Sequence, residues 1–252
     1  MFITCSTQCF GSKRLEEVFA TMIELQFQKY ELVLDENSNH LKPSEVHENL
    51  SKAIGLLKST PGLIPTVFTA YFGELDSSAY KLHFLSVCRL ARQCFVPVIN
   101  IQASSPTANI NGEILRLKEL VKIAEKEGVL INLIMEQGTL ASDPKSVVQI
   151  CKEVKQLGVC LDPSLEVLSP DIQLEELYSY ARHIHFRDTG RGISQFQVRV
   201  GQGQVDFGKV ISHLEKCNYE RALSIDIQQK PEITFPVEPE IRKLKYLLES
   251  MN

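Results

Sequence analysis

The sequence contains no apolar run long enough to span a bilayer. It has no Lys/Arg cluster, and its formal net charge is -4. It therefore gives no electrostatic reason to expect nucleic acid or an anionic membrane as a partner. The N-terminus, MFITCSTQCF, lacks a basic segment followed by a long apolar one, so no secretory signal is expected. There is no C-x-x-C pair among the seven scattered cysteines, Cys5, Cys9, Cys88, Cys94, Cys151, Cys160 and Cys217. An odd, scattered set reads as reduced thiols of a cytoplasmic protein, mostly filling the core. Cys5 and Cys9, near a strand end, carry the alternative of lining a pocket. No low-complexity segment or interdomain linker breaks the chain.

What the chain does have is rhythm. Its 252 residues are 44% hydrophobic and 23% charged, ordinary for a globular protein with a sizeable core. β-rich runs alternate with helical patterns throughout. The runs are Phe2–Ser6, Tyr30–Asp35, Pro65–Tyr71, Phe95–Gln102, Leu130–Glu136, Val159–Asp162, Ile184–Phe186 and Ala222–Ile227. Pro97 weakens the fourth because it cannot donate to a ladder. Between the runs lie apolar stripes at helical spacing, such as Leu15, Val18, Phe19 and Met22, or Val147, Ile150, Cys151 and Val154. Helices are expected from Pro43 through Leu57, over Ser77–Arg92 and Gly112–Glu127, around Leu174–Ala181, and over Asp206–Cys217 and Glu238–Ser250. Strands recurring at about thirty residues with a helix between them argue for parallel βαβ units. Eight such units predict an α/β fold, a closed (β/α)₈ TIM barrel forming one domain over residues 1–252. A doubly wound open sheet is the alternative. It usually opens with a Gly-rich phosphate turn after its first strand, and here Cys-Phe-Gly-Ser-Lys stands in that place.

Strand parity then locates chemistry. In His183-Ile184-His185-Phe186-Arg187-Asp188, the two histidines share one face and Ile184 and Phe186 the other. Such a pair is either hydrogen-bonded core or metal-ligating. Glu136, Asp162 and Asp226 also fall opposite the apolar faces of their strands, near the C-terminal ends, as do Glu31 and Asp35 on the second run. Buried unpaired carboxylates cost several kcal/mol each, so acids converging at one rim imply a neutralising cation. Glu136, Asp162, His185 and Asp226 would supply three oxygens and one nitrogen to one divalent ion, Mn²⁺, Mg²⁺ or Co²⁺, with Zn²⁺ as a further option. For Asp162, whose Pro163-Ser164 reads as a turn, a capping role competes with the ligand role.

The segments LINLIMEQG, GVCLDPS, ARHIHFRDTGR, VGQGQVDFGKVISHL and RALSIDI resemble the xylose-isomerase-like barrel superfamily of sugar isomerases and epimerases. The likeness covers the C-terminal half well and the N-terminal half by barrel rhythm plus LQFQKYEL around Glu31. It implies a metal held by Glu136, Asp226, Asp162 and His185. It also implies, from the related ketose 3-epimerases, that Glu136 and Asp226 move the substrate proton and Arg191 holds substrate. The family's strand-eight acid is commonly Glu, one methylene longer than Asp226, and Leu165 stands where the epimerases place a histidine.

The reading that follows is a metal-dependent sugar isomerase or epimerase acting through an enediolate. A dehydratase or lyase on a sugar- or polyol-derived ketone is the runner-up, and a non-catalytic sugar-binding barrel the third reading. A phosphodiesterase of the endonuclease IV type needs a metal cluster and more strand-end histidines than this chain has. Gln137, Asn100 and Glu31 are further candidates for contacting substrate, with pairing to a neighbouring side chain the alternative for Glu31. The partner expected is a small-molecule sugar, with no nucleic acid and no membrane. The terminal helix, with Ile241, Leu244, Leu247 and Leu248, is read either as packing on the barrel or as serving a homo-oligomer.

Overall fold

The computed structural model describes residues 1–169, 171–192, 195–230 and 232–251. Parallel strands β1 (Phe2–Ser6), β2 (Lys29–Asp35), β3 (Ile64–Tyr71), β4 (Val98–Ile101), β5 (Leu130–Ile134), β6 (Gly158–Leu161), β7 (Ala181–Phe186) and β8 (Ala222–Ile225) pair in chain order, and β8 closes on β1. The helices between them are α1 (Leu15–Glu24), α2 (Pro43–Glu48), α3 (Leu50–Leu57), α4 (Ser77–Gln93), α5 (Ile110–Lys126), α6 (Pro144–Glu153), α7 (Ser164–Leu168) and α8 (Phe207–Lys216). The terminal α9 (Val237–Met251) buries Ile241, Leu244 and Leu248 against the body of the protein. Among the described residues, no helix is long and apolar enough to cross a membrane.

Local differences from the sequence expectation have local causes. The helix expected from Pro43 through Leu57 breaks at Asn49. Its extended backbone leaves the helical path, and its side chain accepts from the Lys52 N–H to start α3. The helix expected around Leu174–Ala181 is a 3₁₀ turn, Glu175–Tyr180, and β7 begins earlier than expected, at Ala181. The fourth strand starts at Val98. Phe95 instead takes φ 58°, just past the end of α4, and is 89% exposed.

The interior of the barrel is layered. The large apolar core lies between strands and helices, with Leu32, Ile99, Leu133, Leu161, Ile184 and Phe186 turned outwards into it. Inside the barrel, a small plug of Val67, Val98 and Ala222, packed by Phe2 and Leu130, fills the N-terminal end. Above it the register aligns Thr69 with Asn100, Asn100 with Asn132, and His185 with Ser224. These inward polar groups form one network. The Asn132 amide donates to Asn100 (2.9 Å), Asn100 donates to Thr69 (2.8 Å), and the Thr69 hydroxyl donates to Glu31.

Glu31 is the hub. It is 0% exposed, and its carboxylate also accepts from His183 Nε2 (3.0 Å), His185 Nε2 (2.9 Å) and Ser224 Oγ (2.5 Å). Burial alone would raise its pKa. The two histidines outweigh that and hold the carboxyl well below its usual range. The polar middle of the barrel is thus a hydrogen-bonded layer beneath the cavity, with Asn132 Oδ1 and His183 Nδ1 left without partners among the described residues.

Candidate active site

The C-terminal ends of the strands open into a cavity of about 620 Å³. Four side chains singled out from strand parity reach its wall from different strands. Glu136 lies two residues beyond β5, Asp162 directly follows β6, His185 lies within β7, and Asp226 directly follows β8. Gln137 lines it as well, together with Tyr71, Leu165, Arg187, Phe196 and Lys230.

Three residues read from sequence as substrate contacts lie elsewhere. Glu31 and Asn100 do face inwards, but at a deeper level, where the polar network uses their side chains. Parity sets the face of a residue, and the stagger of the strands sets its depth. Arg191 is not among the residues that line the cavity. It is exposed, and its Nε donates to Gln204 (2.8 Å). The turn before it is held down by Asp188, whose Oδ2 accepts from the amides of Gly201 (2.8 Å) and Gly203 (3.0 Å). That clamp explains the Gly-Gln-Gly motif. Gly201 has φ 85°, and a Cβ on Gly203 would sit 1.9 Å from the Asp188 carboxylate.

The acids of the cavity have local partners. Asp162 Oδ1 accepts from the Ser164 N–H (3.0 Å) and hydroxyl (2.6 Å), so the turn role read for this residue is real. Its Oδ2 meets the guanidinium of Arg187, which also lies 3.7 Å from Asp226 Oδ2. Gln228 donates to the same Asp226 oxygen (3.1 Å), while Asp226 Oδ1 is buried without a partner. Glu136 accepts from Gln102 (3.1 Å).

Electrostatics separate these groups. Burial pushes the Glu136 carboxyl up, only partly offset by the Gln102 amide and the positive charges of His185 and Lys230. Burial raises the Tyr71 phenol, and the nearby Glu136 and Asp226 raise it further, so it is a neutral donor. Burial lowers His183, whereas His185 is raised because Cys160, Glu31 and Asp226 outweigh the burial that opposes its charge.

Arg187 and Tyr71 were not singled out from sequence. Arg187 has the parity of His183 and His185, so the signal was present, but it reads there as part of a polar turn. Tyr71 reads as an ordinary aromatic at the end of a strand.

The donor set suits a cation. Three carboxylates and an imidazole share one cavity, a buried carboxylate oxygen of Asp226 lacks a partner, and a guanidinium already stands between two of the acids. Among the described residues, the donor atoms that already lie close enough together to hold an ion belong to a different, deeper set. The donor atoms of Cys160, His183 and His185 all fall within 4.8 Å of one another, and this set shares only His185 with the first.

A family model described as xylose isomerase-like TIM barrel matches residues 19–249. The chain belongs to that family. Over 164 residues it is 26% identical to an inosose dehydratase of Clostridium perfringens, a match covering 54% of this chain and 53% of that protein. Over 120 residues it is 28% identical to an uncharacterized protein of Methanocaldococcus jannaschii, covering 44% and 41%. The matches thus span about half the length of these relatives or less. Solved structures share the fold at low identity. A D-tagatose 3-epimerase-like protein superposes with TM-score 0.75 at 21% identity, covering 100% of this chain and 98% of that one. A probable 3-DHS dehydratase, AsbF of Bacillus anthracis, gives 0.75 at 14%, covering 100% of both chains. An IolI protein with a bound zinc atom gives 0.77 at 15%, covering 100% and 98%. The proteins this chain is similar to thus bear the names of an epimerase-like protein and of dehydratases.

Proposed function

We propose that this xylose isomerase-like barrel is a divalent-metal-dependent isomerase or epimerase acting on a sugar or keto-sugar. The observation that carries the reading is the convergence of Glu136, Asp162, His185 and Asp226, from four strand ends, on one cavity that also holds the Tyr71 phenol. Those four residues would hold the ion. A bound divalent ion supplies Lewis-acid polarisation of the substrate's carbonyl and hydroxyl oxygens.

The chain's own groups do the rest. Glu136, oriented by the Gln102 amide, takes the proton from the carbon beside the carbonyl. The neutral Tyr71 hydroxyl donates to a substrate oxygen as negative charge develops there. Asp226 is the second carboxylate, available to return a proton. Leu165 and the ring of Phe196 form apolar walls that keep water from the reacting carbon.

Dehydration is the second reading, favoured by the similarity to an inosose dehydratase. It shares the first proton abstraction and differs in the loss of a β-hydroxyl. One experiment separates the two. The protein is incubated in D₂O with Mn²⁺ and a panel of ketoses, inososes and other polyol ketones, with and without chelator. Deuterium is expected at carbon in an epimer or isomer of unchanged formula, and chelator is expected to abolish it. A product lighter by one water establishes the dehydratase reading. No exchange and no product from any substrate removes both.

A further inference from the structure

We propose that Arg187 is the resident counter-ion of the Asp162–Asp226 pair, and that a divalent cation binds in this cavity only by displacing it. This inference deepens the metal reading above and rests on it. Arg187 is 4% exposed, and β7 delivers it to the cavity two residues beyond His185 on the same face.

Both acids are already engaged by protein donors. Asp162 Oδ1 already receives two hydrogen bonds from Ser164, and Oδ2 is covered by the guanidinium. While Arg187 stays, each Asp162 oxygen has a protein partner among the described residues, and a divalent ion beside Oδ2 would sit against the guanidinium charge. Asp226 Oδ2 is shared between Gln228 and Arg187, leaving only Oδ1. An arginine stays charged at any working pH, so it cannot give way by losing a proton. It has to move bodily.

Two features make such a movement feasible. Arg187 Nε is buried and has no partner among the described residues, so the guanidinium is incompletely satisfied by them where it stands. Its Cζ already lies 4.0 Å from the centre of the Phe196 ring, an apolar and π-rich wall of the same cavity, so the side chain can pivot off the acids while keeping that contact. Metal binding thus draws on the fraction of molecules in which Arg187 has swung off the acids. The apparent affinity is reduced by that fraction.

The test is calorimetric titration of the metal-stripped full-length protein with MnCl₂, which requires no substrate. Arg187→Met keeps the stem and removes the charge, and is expected to bind Mn²⁺ at least tenfold more tightly than the unaltered protein. Arg187→Lys carries a point charge unable to bridge both acids, and should fall between the two. Thermal melts of the metal-free proteins report whether each variant folds. If Arg187→Met does not, a gain of about threefold in Arg187→Lys carries the same conclusion. Variants that bind Mn²⁺ as tightly as the unaltered protein, or more weakly, overturn the displacement proposal and leave the metal reading intact. Folded proteins that all fail to bind Mn²⁺ overturn both.

Discussion

Glu136→Gln is expected to lower kcat by about 10³-fold while leaving the fold unchanged. Glu136 is the acid of the cavity whose proton affinity burial raises most plainly, and the Gln102 amide fixes its orientation. A glutamine of the same length can still fill the space and pair with Gln102. What it loses is the ability to accept a proton from carbon, together with the negative charge Glu136 would bring to the ion. Turnover measured on whichever ketone exchanges deuterium, with a direct binding measurement alongside, checks this. A sugar-binding barrel without catalysis predicts equal binding and no turnover to lose. Activity within tenfold of the unaltered enzyme would assign the proton transfer to another group, and Asp226 is the next to examine.

The second large effect concerns the layer beneath the site. Glu31→Leu is expected to destabilise the protein by about 3 kcal/mol or more, because removing one partner of a buried charged network strands the others. Here the stranded groups are His183, His185 and the hydroxyls of Thr69 and Ser224, all buried. For a domain of this size that corresponds to a melting temperature lower by ~6–12 °C. The sequence-based reading of Glu31 as a substrate contact predicts the opposite pattern, a raised KM with an unchanged melt. Thermal denaturation followed by circular dichroism distinguishes them.

Period-2 patterning explains why so much was legible beforehand. In a parallel barrel covered by helices, each strand has an apolar outer face, so the odd polar residue on the other face stands out. Glu136, Asp162, His185 and Asp226 were found that way, and all four line the cavity. Depth was not legible. Glu31 and Asn100 obey the same parity rule but lie below the cavity, because pairing such as Ser6 with Glu31 and Thr69 with Asn100 sets the level at which each strand enters the barrel. Loop direction was not legible either. Arg191 is exposed and off the cavity wall, after a turn held down by the Asp188 clamp on Gly201 and Gly203, a contact between residues more than ten positions apart. Arg187 obeys the same parity as His185, yet in the sequence it reads as part of a polar turn, because nothing local shows that it enters the cavity. Arg187 and a divalent ion compete for the same oxygens, which is why Arg187 matters to the metal account.

The central claim is that the strand-end acids and His185 gather around one ion at the mouth of the barrel. Anomalous diffraction at the manganese edge from crystals grown with Mn²⁺ tests it most directly. The account predicts a single strong peak in contact with Glu136, Asp162, His185 and Asp226, with the Arg187 side chain turned off the two aspartates. An empty cavity with Arg187 still bridging Asp162 and Asp226, or a peak seated instead on Cys160 and His183, would contradict it.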